Sequence, residues 1–188
     1  MREYFTEGIV LGVRPYGEAD RWVDLYTKDF GRIGVKMTGG RKLLSKLSPH
    51  LDVMNLVEAR LVQKNQFTFA DVITKNRFNL LRKNISQHSS ALRLVFLLRS
   101  LVPESVQDLQ FWHYLVRSFS WARINHGIFL KLLGYDPLLA RCENCLTGGV
   151  SYFSPGDQSF LCKRCCLRLS LSLDTLLYIH ATRTTLVL

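Results

Sequence analysis

The chain has 188 residues, of which 47% are hydrophobic, and a net charge of +10. That length and apolar content suit one substantial core or two small ones and exclude a disordered polyanion-binding tail. No apolar run approaches the ~18 residues needed to cross a bilayer, and the acid-bearing N-terminus "MREYFTEGIVLGVRPYGEAD" lacks the run of an export signal. The charge points to nucleic acid or another anionic partner, and the expected compartment is the cytoplasm.

The N-terminal part reads as strands separated by turns. "GIVLGVR" (8–14) is a strand, "PYGEAD" (15–20) a turn, and "RWVDLYT" (21–27) alternates apolar and polar residues. "KDFGR" (28–32) turns the chain into "IGVKM" (33–37). A basic connection with two glycines, "TGGRKLLSKLSPH" (38–50), leads to a long strand pattern at 51–64, and "FTFADVITK" (67–75) closes the set. Five short strands with turns between them predict a small barrel of the OB type over residues 1–76. Trp22 and Tyr26 share one face of their strand, as do Phe67 and Phe69, and both pairs are expected to pack the barrel interior.

From residue 77 the period becomes helical. One helical stretch ends at Pro103, and a second spans roughly 105–137, with Gly134 as its C-terminal cap. A last short helix is expected over 172–184. The fold class is therefore α+β: an N-terminal OB-fold β-barrel (1–76), then an α-helical domain (77–188) with an insertion at about 142–166.

That insertion holds all five cysteines. The spacing is Cys142-x2-Cys145, sixteen residues, then Cys162-x2-Cys165. Two such pairs joined by a hairpin-sized excursion fit a four-cysteine zinc ribbon, with four thiolates at about 2.3 Å from one structural Zn2+. "VSYFS" (150–154) and "SFLC" (159–162) are its strands and "PGDQ" (155–158) its turn. Cys166 is either a neighbouring thiol or the fourth ligand in place of Cys165. The cations Arg141, Lys163, Arg164 and Arg168 either balance the anionic centre or meet DNA. A closed four-thiolate site leaves no position for a substrate. The five histidines are scattered, no carboxylate cluster is recognisable, and "TGGRK" lacks the phosphate-loop spacing, so no enzyme is expected.

Binding a polyanion needs clustered cations. Arg14, Arg21, Arg32, Lys36, Arg41, Lys42 and Lys46 are the candidates for contacting DNA, with Arg41 and Lys42 foremost because they stand in a Gly-containing connection.

Three stretches together resemble the RecO family. They are "GIVLGVRPYGEADRWVDLYTKDFGRIGVKMTGGRK", "GIFLKLLGYDPLLARCENC" and the two Cys-x2-Cys pairs in that order. The resemblance implies an OB fold, a helical domain and a zinc finger. It implies DNA repair and recombination through binding of single- and double-stranded DNA, annealing of complementary strands, and loading of RecA with RecR onto strands coated by single-strand-binding protein. It also implies a nucleoid-associated location in the cytoplasm, and a groove for the C-terminal tail of single-strand-binding protein, with Arg117 and Arg123 suited to its carboxylates. The other readings of the same features are a zinc-ribbon module that binds RNA or serves transcription, and a protein-binding scaffold whose charge serves an acidic partner.

Overall fold

The computed structural model describes residues 2–41, 45–170 and 176–179. The chain divides into two compact units, Met1–Arg123 and Ile124–Leu188. The change from strand to helix falls earlier, between Asn76 and Asn79.

The first unit begins with β1 (Arg2–Tyr16), β2 (Asp20–Thr27), β3 (Gly31–Met37), β4 (Leu56–Gln63) and β5 (Phe67–Asn76). They form a closed barrel in the order β1-β2-β3-β5-β4. All pairs are antiparallel except β3 with β5, which closes the barrel through a short parallel contact, Val35 to Phe67 and Lys36 to Thr68. This is the architecture expected of an OB barrel. Period-2 alternation sends Val23, Leu25, Ile33, Val35, Met37, Val57, Ala59 and Leu61 inward, each at most 3% exposed. Phe69 joins them and Phe67 packs at the margin, as expected. Each large apolar side chain among them contributes about 1.5–3 kcal/mol on burial.

Two expectations are corrected in this unit. Trp22 and Tyr26 share a face, but it is the outward one, because Val23 and Leu25 already fill the interior of their strand. Tyr26 is nevertheless buried, since it is covered from outside by Phe111 and Trp112 at ring distances of 5.4 and 6.2 Å. The strand expected over 51–64 begins only at Leu56. Before it the chain turns: Asn55 N donates to Asp52 O, Met54 takes a positive φ of 72°, and the buried Asn55 side chain donates to His50 O.

The helices of this unit are α1 (Asn79–Lys83), α2 (Ile85–Leu101) and α3 (Leu109–Ser120). Asn84 caps α2 by accepting from Gln87 N, and Asp108 caps α3 by accepting from Phe111 N. α2 buries Leu94, Leu97 and Leu98 and turns Leu92, Phe96 and Arg99 to solvent. The second helical stretch is broken. α3 ends at Ser120, Ala122 takes φ +51°, and Asn125 starts α4 (His126–Leu132) by accepting from Ile128 N.

Where β3 diverges from β5, the segment after α2 covers its edge: Ser105 N donates to Arg32 O. Gly31 makes this possible. Its φ is +64°, and a Cβ there would lie 1.9 Å from the Val106 carbonyl oxygen. Gly31→Ala is therefore expected to destabilise the first unit by at least about 2 kcal/mol, seen as a lower urea midpoint. An unchanged midpoint would contradict the tight approach.

The second unit contains α4, a hairpin of β6 (Tyr152–Ser154) and β7 (Ser159–Leu161), α5 (Lys163–Arg168) and β8 (Leu177–Tyr178), with strand order β7-β6-β8. Gly134 follows α4 at φ +90°, as a C-terminal cap should. The helix expected over 172–184 is not what the described part of that stretch forms. Leu177–Tyr178 pairs with β6 instead, and Ile179 N donates to Ser151 O. The rest of that stretch lies outside the described residues. No helix among the described residues is long and apolar enough to cross a membrane.

Candidate metal centre and nucleic-acid interface

The four cysteines of the two Cys-x2-Cys pairs converge. The Sγ atoms of Cys142, Cys145, Cys162 and Cys165 all lie within 4.8 Å of one another, and those of Cys145 and Cys162 are 3.7 Å apart. Four sulfurs at about 2.3 Å from one ion would stand about 3.8 Å apart. The donor set and its spacing therefore fit a tetrahedral thiophilic ion, and the group could hold a metal.

Local folding explains the convergence. Residues 142–147 form a tight knuckle: Leu146 N donates to Cys142 O, Cys142 N donates to Thr147 O, and Leu146 takes φ +58°. The second pair sits at the start of α5, where Cys162 caps the helix and accepts from Cys165 N. The short β6–β7 hairpin sets the knuckle beside this helix start through Glu143 N donating to Phe160 O. Donors also reach the sulfurs: Asn144 Nδ2 donates to Cys165 at 3.2 Å, and the Thr147 hydroxyl lies 3.0 Å from Cys145. Hydrogen bonds from the Thr147 side chain and backbone pull the Cys145 thiol down to about 6. Cys166 is buried but stands outside the quartet, and burial pushes its thiol up.

The predicted DNA-binding cations fall into distinct places. Arg14, Trp22 and Lys36 form one row across β1, β2 and β3 on the outward face. The Arg14 guanidinium lies 5.6 Å from the Trp22 ring centre, and Lys36 Nζ lies 5.6 Å from that of Tyr16. Tyr16 and Trp22 are themselves in contact at 5.4 Å. Lys36 also pairs with Asp20 at 2.9 Å, and that hydrogen bond raises its ammonium above the usual lysine range. The next row is Gly12, Asp24 and Gly34. Its two glycines make room for neighbouring side chains: the Trp22 ring lies over Gly34, where a Cβ would come within 2.4 Å of it, and the Arg99 guanidinium lies over Gly12.

Arg32 lies further along β3 and donates from Nη1 to Arg99 O, with Glu104 at 3.5 Å from Nη2. Arg21 packs its stem beside Gly40 at the barrel end. Arg41 is exposed and donates to Gly17 O at 3.3 Å, tying its turn to the β1–β2 turn. Lys46 is exposed, and Lys42 lies outside the described residues. Arg117 stacks over the exposed Trp121 at 4.3 Å, and Arg123 is exposed.

Sequence reasoning missed Arg99 and Phe96. Arg99 reaches from α2 to pair with Asp24 at 3.2 Å and rests against Gly12. The signal available was an apolar Phe96 four residues from Leu92 on the polar face of α2.

Residues 1–74 match the family described as Recombination protein O N terminal. Curated relatives extend the likeness. The DNA repair protein RecO of Roseiflexus sp. (strain RS-1) is 30% identical over 87% of this chain and 62% of its own length. Those of Rubrobacter xylanophilus and Bacillus velezensis are 27% and 28% identical over 88% and 85% of this chain. The chain thus spans 62%, 72% and 67% of the lengths of these three relatives. The N-terminal match and the likeness along more than four fifths of the chain agree, and both are to RecO proteins.

Proposed function

We propose that the protein is a DNA repair and recombination mediator without catalytic chemistry of its own. It binds single- and double-stranded DNA through residues 1–76, anneals complementary strands, and acts with RecR to help load RecA. The observation that carries this reading is the outward row Arg14–Trp22–Lys36 on a closed OB-type barrel. Its cations can meet phosphates and its ring can stack on a base. Arg21, Arg32, Arg41 and Lys46 extend the electropositive surface, and Lys42 is a further candidate for contacting DNA. Annealing needs no nucleophile: two polyanions are held close, their repulsion is screened, and base pairing drives the rest.

Residues 77–188 carry the metal site and the partner site. Cys142, Cys145, Cys162 and Cys165 hold one structural Zn2+, a role suited to the reducing cytoplasm. Arg117 and Arg123 receive the acidic C-terminal tail of single-strand-binding protein. The relatives' printed name, DNA repair protein, supports the reading.

The test is annealing of two complementary fluorescent oligonucleotides by the purified protein at low and moderate salt. Acceleration that fades with salt is expected. A folded, metal-loaded protein that leaves the rate unchanged, and that prefers structured RNA, would overturn the proposal.

A further inference from the structure

The outward face of β1–β3 and the exposed face of α2 enclose a groove of about 420 Å³. That volume lies within the range of small-ligand sites, roughly 300–1,000 Å³. Arg14, Trp22, Asp24, Arg32, Phe96 and Arg99 line it, with Glu104 at one side. We propose that this groove is a nucleotide subsite, seating one unpaired base of a single strand against Phe96 and Trp22 and its phosphate on the Arg32 guanidinium. The inference rests on the DNA-binding reading and assigns it a location that includes α2.

Three observations support it. First, the groove floor is made of flat groups. In the cross-strand row Gly12–Asp24–Gly34 the glycines let the Arg99 guanidinium and the Trp22 ring lie close on the sheet, and both present planar faces on which a base can stack. Second, an aromatic ring stands exposed at the groove although burial was available to its neighbours: Phe96 is 58% exposed while Val95, Leu97 and Leu98 are at most 4% exposed. A base laid on that ring would remove its apolar face from water, and stacking tolerates any base. Third, Arg32 is incompletely used. Its Nη1 is committed to Arg99 O, but Nη2 meets Glu104 only at 3.5 Å. Its Nε is the buried side-chain donor without a hydrogen-bond partner among the described residues. Nε and Nη2 form one edge of the guanidinium, the edge that takes an oxyanion bidentately. Glu104, whose side chain is 68% exposed, occupies that edge loosely and can swing into solvent as a phosphate replaces it.

Asp24 does not oppose this arrangement, because Arg99 pairs with it at 3.2 Å. The groove then carries three arginines against two carboxylates, and the second carboxylate, Glu104, is the one displaced. Arg14, 5.6 Å from the Trp22 ring centre, supplies a further cation at the groove for an adjoining phosphate.

The experiment measures binding of a labelled (dT)12 and of a duplex of equal length by fluorescence anisotropy, using the full chain and its Glu104→Gln and Phe96→Ala variants. Both changes are at exposed side chains, and thermal melts check that the fold is kept. Glu104→Gln is expected to tighten single-strand binding by about threefold or more, because it removes the charge that competes with phosphate. Phe96→Ala is expected to weaken single-strand binding by about tenfold and to leave the duplex within about twofold, because paired bases have no free face to stack. If the parent binds (dT)12 and both variants stay within that margin, the subsite is wrong while the DNA-binding reading stands. If Phe96→Ala weakens both ligands equally, the ring does not stack on a base and the subsite is again overturned. A parent that binds neither ligand at low salt overturns both.

Discussion

Removing the proposed zinc is expected to unfold the second unit and leave the first folded. The reason lies in what the second unit has for a core. The cluster around the site consists of Cys142, Cys162, Cys165 and Cys166 with Leu161, Leu176 and part of Tyr152, so the proposed ligand sulfurs are themselves much of the apolar interior. Strands of two or three residues cannot stand alone in water. Beyond the cluster, Phe153 packs on Phe160 and Tyr135 at 4.9 and 5.2 Å. That is little apolar burial to set against the ordering of loops such as 134–151. Binding free energy of a structural zinc is folding free energy, about 10–16 kcal/mol at neutral pH in small zinc domains. Cys142→Ser, or excess chelator, should therefore abolish the cooperative melting of residues 124–188. The first unit, whose barrel core includes twelve clustered buried side chains among the described residues and no cysteine, should keep its own transition. Metal content should be one zinc per chain in the parent and in Cys166→Ser, and near zero in Cys165→Ser. An unchanged melting curve for metal-free Cys142→Ser would refute the structural role. Full zinc retention by Cys165→Ser would move the fourth ligand to Cys166.

The barrel was legible because inward positions alternate cleanly: Val23 and Leu25, then Ile33, Val35 and Met37, are apolar at period 2. Alternation says which residues share a face, but not which face is inside. Trp22 and Tyr26 have the larger rings, which favours them as core on size alone. The interior is filled instead by Val23 and Leu25, and α3 supplies a second apolar layer over Tyr26. That layer depends on where a helix far along the chain docks, and no local pattern encodes it. The parallel closure of β3 on β5 rests on two residue pairs and leaves no periodic trace. The convergence of the cysteine quartet was legible from spacing alone, since each pair is held by a local turn or helix start. The groove was not, because Arg32 and Arg99 are 67 positions apart and meet only through the packing of α2 on β1. Leu177–Tyr178 suits a helix as well as a strand by its apolar neighbours, and pairing with the open edge of β6 decides it.

Single-strand affinity is expected to fall about 50-fold between about 50 and 200 mM salt, from release of about four counterions at ~0.7 each. The number four comes from sorting the candidate cations by whether a carboxylate already holds them. Lys36 is paired with Asp20 at 2.9 Å, and Arg32 has Glu104 at 3.5 Å. Arg14, Arg21, Arg41 and Lys46 form no ion pair with any described residue and keep their charge for phosphate. Arg41→Gln should lower the slope of log affinity against log salt by about 0.7 and weaken binding to all sequences alike. Lys36→Gln should do less, because DNA must first take the lysine from Asp20. By the same reasoning Asp20→Asn should tighten binding, provided the turn survives loss of the Gly39 N–H bond that Asp20 Oδ1 accepts at 2.8 Å. A melt of that variant separates the two effects. Titration of a labelled single strand across this salt range reads all of these changes. A slope near zero would mean that phosphates are not the ligand. A steep slope unmoved by Arg14→Gln and Arg41→Gln together would place the DNA on another surface, and the outward face of the barrel would then owe its cations to solubility alone.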